Sequence, residues 1–273
     1  MYHCEDKGLI KSFRESVKQG PVVFVNPSNE EVRRFALNTF EEVIKNYEVD
    51  GIVHDRSRYD NEYADFSDLT RGQFEVFLKG RDKALVHWPE DIFRYEEGMR
   101  VNGPLIQDWW EFRSGIIQSF FQEVKQLVDR YKAAKGRDIQ VSSYVGSWYE
   151  RYYLNGVNWG SKHFQFDARL GLQDEAVYTE AYCQTAYIDN LDFLMIGTYQ
   201  TTAAEVEKYI TQGNIVTHGE IPLYAGIALP NVQDPALQKE VFRSGLLHSD
   251  GLMLFDAVHI NWPVTSEALT DLL

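Results

Sequence analysis

Hydrophobic and polar positions along the chain alternate between a helical period and a strand period. Val32, Phe35, Ala36, Phe40, Val43, Ile44 and Tyr47 recur at helical spacing. Ser28-Asn29-Glu30-Glu31 before them reads as a capping box. A buried strand over 49–55 follows, with Gly51, Val53 and Asp55 on one face and Asp50, Ile52 and His54 on the other. Residues 60–103 read as mostly polar and irregular, with a short helix over roughly 68–79. That is too long for a plain connection, so a functional insertion at the mouth of the fold is expected. Pro104 opens a long helix to about Ala134, which Gly136 ends. Ile139–Gly146 is the next strand, and 148–173 is a long loop rich in Trp, Tyr, Asn and Gly.

The pattern then continues in pairs. A helix over 175–188 leads to a strand Leu191–Thr198, and a helix over 203–212 leads to a strand Leu223–Leu229. Asp234-Pro235 caps a helix to His248, a strand Leu252–Phe255 follows, and Pro263 starts a last, cut-off helix. Pro21–Val25 is a weaker sixth strand. Strands separated by helices in this way build an α/β fold, either a barrel or an open doubly wound sheet. No Gly-rich phosphate loop follows any strand, which removes the usual nucleotide-binding doubly wound folds. With no linker or repeat, residues 1–273 read as a single domain.

Charge and composition narrow the function. A net charge of −14 argues against a nucleic-acid partner bound through a basic surface. Aromatic residues make up 14% of the chain, with Trp and Tyr crowded into loop-like segments. Such rings either line a sugar site or fill the core. Cys4 and Cys183 lack metal-ligand spacing, and a disulfide between them has no support. No stretch is apolar enough to span a membrane, and the first residues are not a signal peptide. His54 and Asp55 point to opposite faces, so they do not share a metal, and no cofactor is expected.

The chemistry concentrates in Asp55-Arg56-Ser57-Arg58-Tyr59-Asp60, where a strand ends in a burst of charge. A carboxylate and two arginines at the C-terminal end of a parallel strand is where α/β barrels place their reactions. The plainer alternative is a solvated loop whose ions pair with each other.

Three segments carry a resemblance. Asn26-Pro27-Ser28 with the later run Tyr47–Arg56 (YEVDGIVHDR) is similar to a group of bacterial glycosyl-hydrolase-like barrels, distant relatives of the α-amylases. Tyr144–Tyr149 with Gly156–Trp159, and Leu191–Tyr199, add to the likeness. The resemblance implies a TIM (β/α)8-type barrel in which 49–55 is the fourth strand and the four later strands are the fifth to eighth. The first strands are then missing, so the barrel is expected to be incomplete and the chain a fragment. A complete six-stranded open sheet is the alternative. The resemblance also implies an exported, extracytoplasmic protein.

In the α-amylase-like scheme a carboxylate ending the fourth strand attacks the anomeric carbon, and a second carboxylate after the fifth protonates the leaving oxygen. Asp55 takes the first role. Glu150 is the candidate for the second, with Trp148 and Tyr149 supplying an apolar setting; the plain alternative is a surface residue paired with Arg151. Asp256 is the rival acid or a substrate contact. The chain departs from α-amylases in carrying Val53 where they carry an arginine, so Arg56 or Arg58 would orient Asp55. Tyr59, Trp148, Trp159, Tyr199 and His259 are candidate sugar contacts. The expected function is hydrolysis of a poly- or oligosaccharide by paired carboxylates. A carbohydrate-binding barrel without hydrolysis is the alternative, and a lyase or isomerase using Asp55 with an arginine a third.

Overall fold

The computed structural model describes residues 1–5, 8–11, 24–270 and 272. An antiparallel hairpin, β1 (Tyr2–Glu5) and β2 (Gly8–Lys11), opens the chain. Helix α1 (Glu30–Asn46) follows, capped by Asn29, whose side chain accepts from the backbone N–H groups of Glu31 and Val32. The cap is therefore one residue later than the expected box. Ser28 is spent elsewhere: it is buried, and its hydroxyl donates to Asn26 Oδ1 at 2.8 Å. Of the expected sixth strand, Pro21–Val23 lie outside the described residues, and Phe24 and Val25 belong to no strand.

Strand β3 (Gly51–Asp55) leads through α2 (Asp68–Lys79) to a hairpin, β4 (Phe93–Glu96) and β5 (Met99–Asn102). This hairpin was not expected in a segment read as irregular. Its two-residue turn, Glu97-Gly98, has both φ angles positive (51° and 77°), the geometry that matches strand twist. Helix α3 (Ile106–Lys135) runs 30 residues and ends at Gly136, at φ 60°. Strand β6 (Gln140–Gly146), the short helices α4 (Tyr149–Tyr152) and α5 (Glu180–Cys183), and β7 (Phe193–Thr198) come next.

The helix expected over 175–188 is broken into single turns. Thr179 caps α5 through its side chain, and the Thr185 hydroxyl takes the Tyr182 carbonyl at 2.6 Å, so local side-chain bonds replace the helical ladder. The remaining elements are α6 (Ala203–Val216), β8 (Leu223–Ala228), α7 (Pro235–His248), β9 (Gly251–Phe255) and α8 (Trp262–Thr270). Helix α6 continues past its expected end at 212, with Gly213 inside it. A Cβ there would stand 2.5 Å from Ile196 Cδ1, so this glycine lets the helix press against the sheet.

The main sheet has five parallel strands in the order β3-β6-β7-β8-β9. That order never reverses, whereas a doubly wound sheet turns back at a switch point. The fold is a curled half-barrel of the (β/α) type with helices on its outer face. Ile52 and His54 of β3 are buried, while Val53 on the other face is 49% exposed. His54 shows what holds the outer face. Its ring lies 5.1 Å from Phe40 of α1 and 4.3 Å from Phe121 of α3. Cys4 and Cys183 are both buried, and among the described residues neither is in a disulfide.

Candidate functional site

Glycines on the inner face of the sheet shape the site. Register pairs Asp55 with Tyr144, and Gly146 with Gly197, so these residues share one face. A Cβ on Gly197 would lie 2.7 Å from the Tyr144 hydroxyl, and one on Gly226 would lie 2.9 Å from its ring. A Cβ on Gly146 would meet the Trp148 ring at 2.4 Å. The missing side chains leave room for aromatic rings above the strand ends. There a cleft of about 210 Å³ opens, with Asp55, Arg56 and Arg58 on one side and Tyr144, Trp148 and Tyr199 on the other.

The walls are rich in hydroxyl groups. Tyr144 donates to the Tyr199 hydroxyl at 2.6 Å, and the Tyr152 hydroxyl accepts from the Gly146 N–H at 2.6 Å. Burial raises the pKa of Tyr144 and of Tyr152, so both stay neutral hydroxyls. Trp148 is 41% exposed and stacks on Tyr152 with ring centroids 5.6 Å apart. Asp55 is solvent-exposed at the end of β3. Arg58 is half-buried, and its Nη1 donates to the Tyr59 and Asp60 carbonyls at 3.0 and 2.8 Å. Tyr144 and Tyr152 were not singled out from the sequence. The strand period of 140–146 held the signal for Tyr144, which falls on the Asp55 face; Tyr152 had none, because its place depends on the turn into α4.

Of the residues singled out from the sequence, Asp55, Arg56, Arg58, Trp148 and Tyr199 meet in this cleft. Tyr59 does not reach it. It is fully buried under the Arg113 guanidinium, 4.4 Å from the ring centroid, where its ring anchors the loop against Gly156. Trp159 is likewise buried, 4.6 Å from the Tyr149 ring, because the 148–173 loop folds inward on its own aromatic residues. Glu150 lies in the first turn of α4 and does not line the cleft. Its Oε2 is buried without a hydrogen-bond partner, and it forms no ion pair with Arg151 among the described residues. Asp256 and His259 are also outside the lining and bond each other at 2.6 Å. They follow Phe255, whose ring lies 6.0 Å from Tyr199. Asn26 is tied into a polar knot with Asp65 and Thr70, at 2.8 Å each. No group of three His, Cys, Asp or Glu side chains gathers as a metal site among the described residues.

The sequence model of the glycosyl hydrolase-like 10 family matches residues 4–244. The chain belongs to that family. Its similarity to an S-layer-related protein of Niallia circulans is 62% identity over all 273 residues, which is 100% of this chain and 17% of that protein. The chain therefore spans about a sixth of the length of that relative. The fold resembles that of the glycoside hydrolase domain of PgaB (BpsB) from Bordetella bronchiseptica. The TM-score is 0.62 at 11% identity, covering 92% of this chain and 64% of that one. At that identity the likeness is one of fold. Membership of a glycosyl-hydrolase-like family assigns the chain a carbohydrate-related role. Among the described residues no helix is long and apolar enough to cross a membrane.

Proposed function

We propose that the cleft recognises a poly- or oligosaccharide, with Asp55 as its central polar contact. The observation that carries this reading is the combination in one cleft of the Asp55 carboxylate, the Trp148 ring and the Tyr144–Tyr199 hydroxyl pair. An indole offers a flat face to the C–H side of a sugar, while carboxylate and hydroxyls bond its edge. Residues 1–273 act as one partial-barrel domain of a longer extracytoplasmic protein. The relative named for its S-layer relation supports a place at the cell surface.

Hydrolysis by paired carboxylates is the second reading. Family membership favours it, and so does the buried oxygen of Glu150 that has no hydrogen-bond partner among the described residues. Against it stands the cleft itself, whose lining contains one carboxylate, Asp55. A retaining pair stands about 5–5.5 Å apart and an inverting pair about 6.5–9.5 Å apart. Reducing-sugar release and glycan binding, measured over a panel of bacterial, plant and host glycans for the parent, Asp55→Asn and Glu150→Gln proteins, separate the readings. Binding without release, weakened in Asp55→Asn, is the expected result. Release that both variants abolish would establish the hydrolase. Binding by neither route, or binding identical in all three proteins, would sink the assignment of Asp55.

A further inference from the structure

The arginines of the cleft differ from the other well-placed arginines of the chain. Arg33 is paired with Glu123, Arg81 with Asp108 and Glu111, and the buried Arg113 donates to the Leu154 and Asn61 carbonyls. The Arg56 side chain has no hydrogen bond, ion pair or ring contact among the described residues. It nevertheless adopts the left-handed backbone region, at φ 55°, where a long side chain is disfavoured. The turn is tight, since the Arg58 N–H donates back to the Arg56 carbonyl at 2.8 Å. Arg58 is held over the Phe24 ring at 4.7 Å, and among the described residues only its Nη1 is engaged in hydrogen bonds.

Arg56 and Arg58 line the cleft, and both also line an adjoining groove of about 290 Å³ with apolar walls from Phe24, Pro27, Val32 and Phe120. The 56–58 turn is thus a cationic ridge between two depressions. Against its two positive charges the cleft sets one negative charge, that of Asp55. Burial lowers the pKa of Arg58, with Tyr152 and the Asp60 and Asp55 carboxylates acting in the opposite sense.

We propose that the glycan taken by this cleft is anionic, with its acidic group held by Arg56 and by the unengaged nitrogens of Arg58. The inference rests on the carbohydrate reading above and adds the substrate class. A guanidinium offers two parallel N–H donors, which fit a carboxylate or a phosphate group in bidentate fashion. The chain's net charge of −14 opposes an anionic polymer at long range. At physiological ionic strength, charges more than about 8 Å away are largely screened, so the contact pair outweighs that repulsion.

The test is titration calorimetry with three probes: oligogalacturonate for the carboxylate, a glycerol-phosphate-bearing glycan for the phosphate, and a neutral galacto-oligosaccharide. Poly-glutamate serves as a non-sugar polyanion. The expected result is affinity about tenfold higher for an anionic than for the neutral probe. That ratio should fall toward one in Arg56→Gln and return partly in Arg56→Lys. Which anionic probe is preferred distinguishes the two acid groups. Equal affinity for neutral and anionic glycans, unchanged in Arg56→Gln, would overturn the anionic inference and leave the carbohydrate reading intact. Equal binding of poly-glutamate would overturn it as mere charge attraction. No binding of any glycan would overturn both. Arg56 is exposed, and circular dichroism of each variant verifies the fold.

Discussion

At the scale of single residues, absent side chains matter as much as present ones. Gly197 and Gly226 lie beneath Tyr144, and the space they leave sets the position of its hydroxyl. Gly197→Ala is expected to force the ring outward, cost about 1–3 kcal/mol through overpacking, and weaken glycan binding. Thermal unfolding and calorimetry on the same variant check both effects. His54 makes a different prediction. Its imidazole is buried between Phe40 and Phe121, and burial lowers its pKa from 6.5 to about 4. The unfolded chain therefore binds more protons than the folded chain between about pH 4 and 6.5. Stability is full above that window and falls as pH drops through it, by about 3 kcal/mol in all. Urea titrations across pH 4–7 should show the slope, and His54→Phe should remove most of the part due to this group. An equal slope in the variant would assign the effect to other groups.

At the scale of elements, α3 organises the site without touching the cleft. Its Arg113 donates to the Leu154 carbonyl at 2.9 Å and the Asn61 carbonyl at 2.7 Å. One side chain thus joins the segments that follow β3 and β6, the two strands that bring Asp55 and Tyr144 together. Arg113→Met keeps much of the apolar stem but removes both bonds. It is expected to destabilise by about 2–4 kcal/mol. It should also speed hydrogen exchange in 148–157 more than in the outer helices, measured by mass spectrometry. A uniform change across the chain would speak against a pinning role. A smaller effect belongs to α1, where Asn29→Ala should cost about 1 kcal/mol by removing its cap.

At the scale of the whole molecule, the half-barrel leaves its inner face partly open. Val53 of β3 is 49% exposed and Phe255 of β9 is 43% exposed, at the two edges of the sheet. A hydrophobic dye should bind the native protein there. The double variant Val53→Thr, Phe255→Ser should reduce dye fluorescence while changing stability by only about 0.5–1 kcal/mol, because neither side chain is fully buried. Dye binding that survives the double variant would place the open apolar surface elsewhere.

Much of the architecture follows from local pattern. The five strands of the main sheet, the helices α1, α2, α3, α6 and α7, and the cap of α7 at Asp234 are legible because period, capping residue and terminating glycine are properties of neighbouring residues. Asp55, Arg56 and Arg58 are legible for the same reason, since a charged burst ending a buried strand marks the upper rim of an α/β sheet. Other features depended on contacts between distant segments. The β4–β5 hairpin hid in a polar stretch, and the 175–188 segment satisfied a helical pattern yet broke where Thr179 and Thr185 took its backbone groups. Tyr59 and Trp159 looked like sugar contacts because an aromatic ring in a loop carries no mark of its own burial. Only packing against Arg113 and Tyr149 made them core. Whether Glu150 or Asp256 shares a cleft with Asp55 was undecidable from spacing, because the distance between two loop residues depends on how each loop folds back. Sequence alone determined the order of elements and the strand end that carries the charge. Tertiary structure decided which side chains face that charge, since a cleft is defined by the approach of segments that the chain itself keeps far apart.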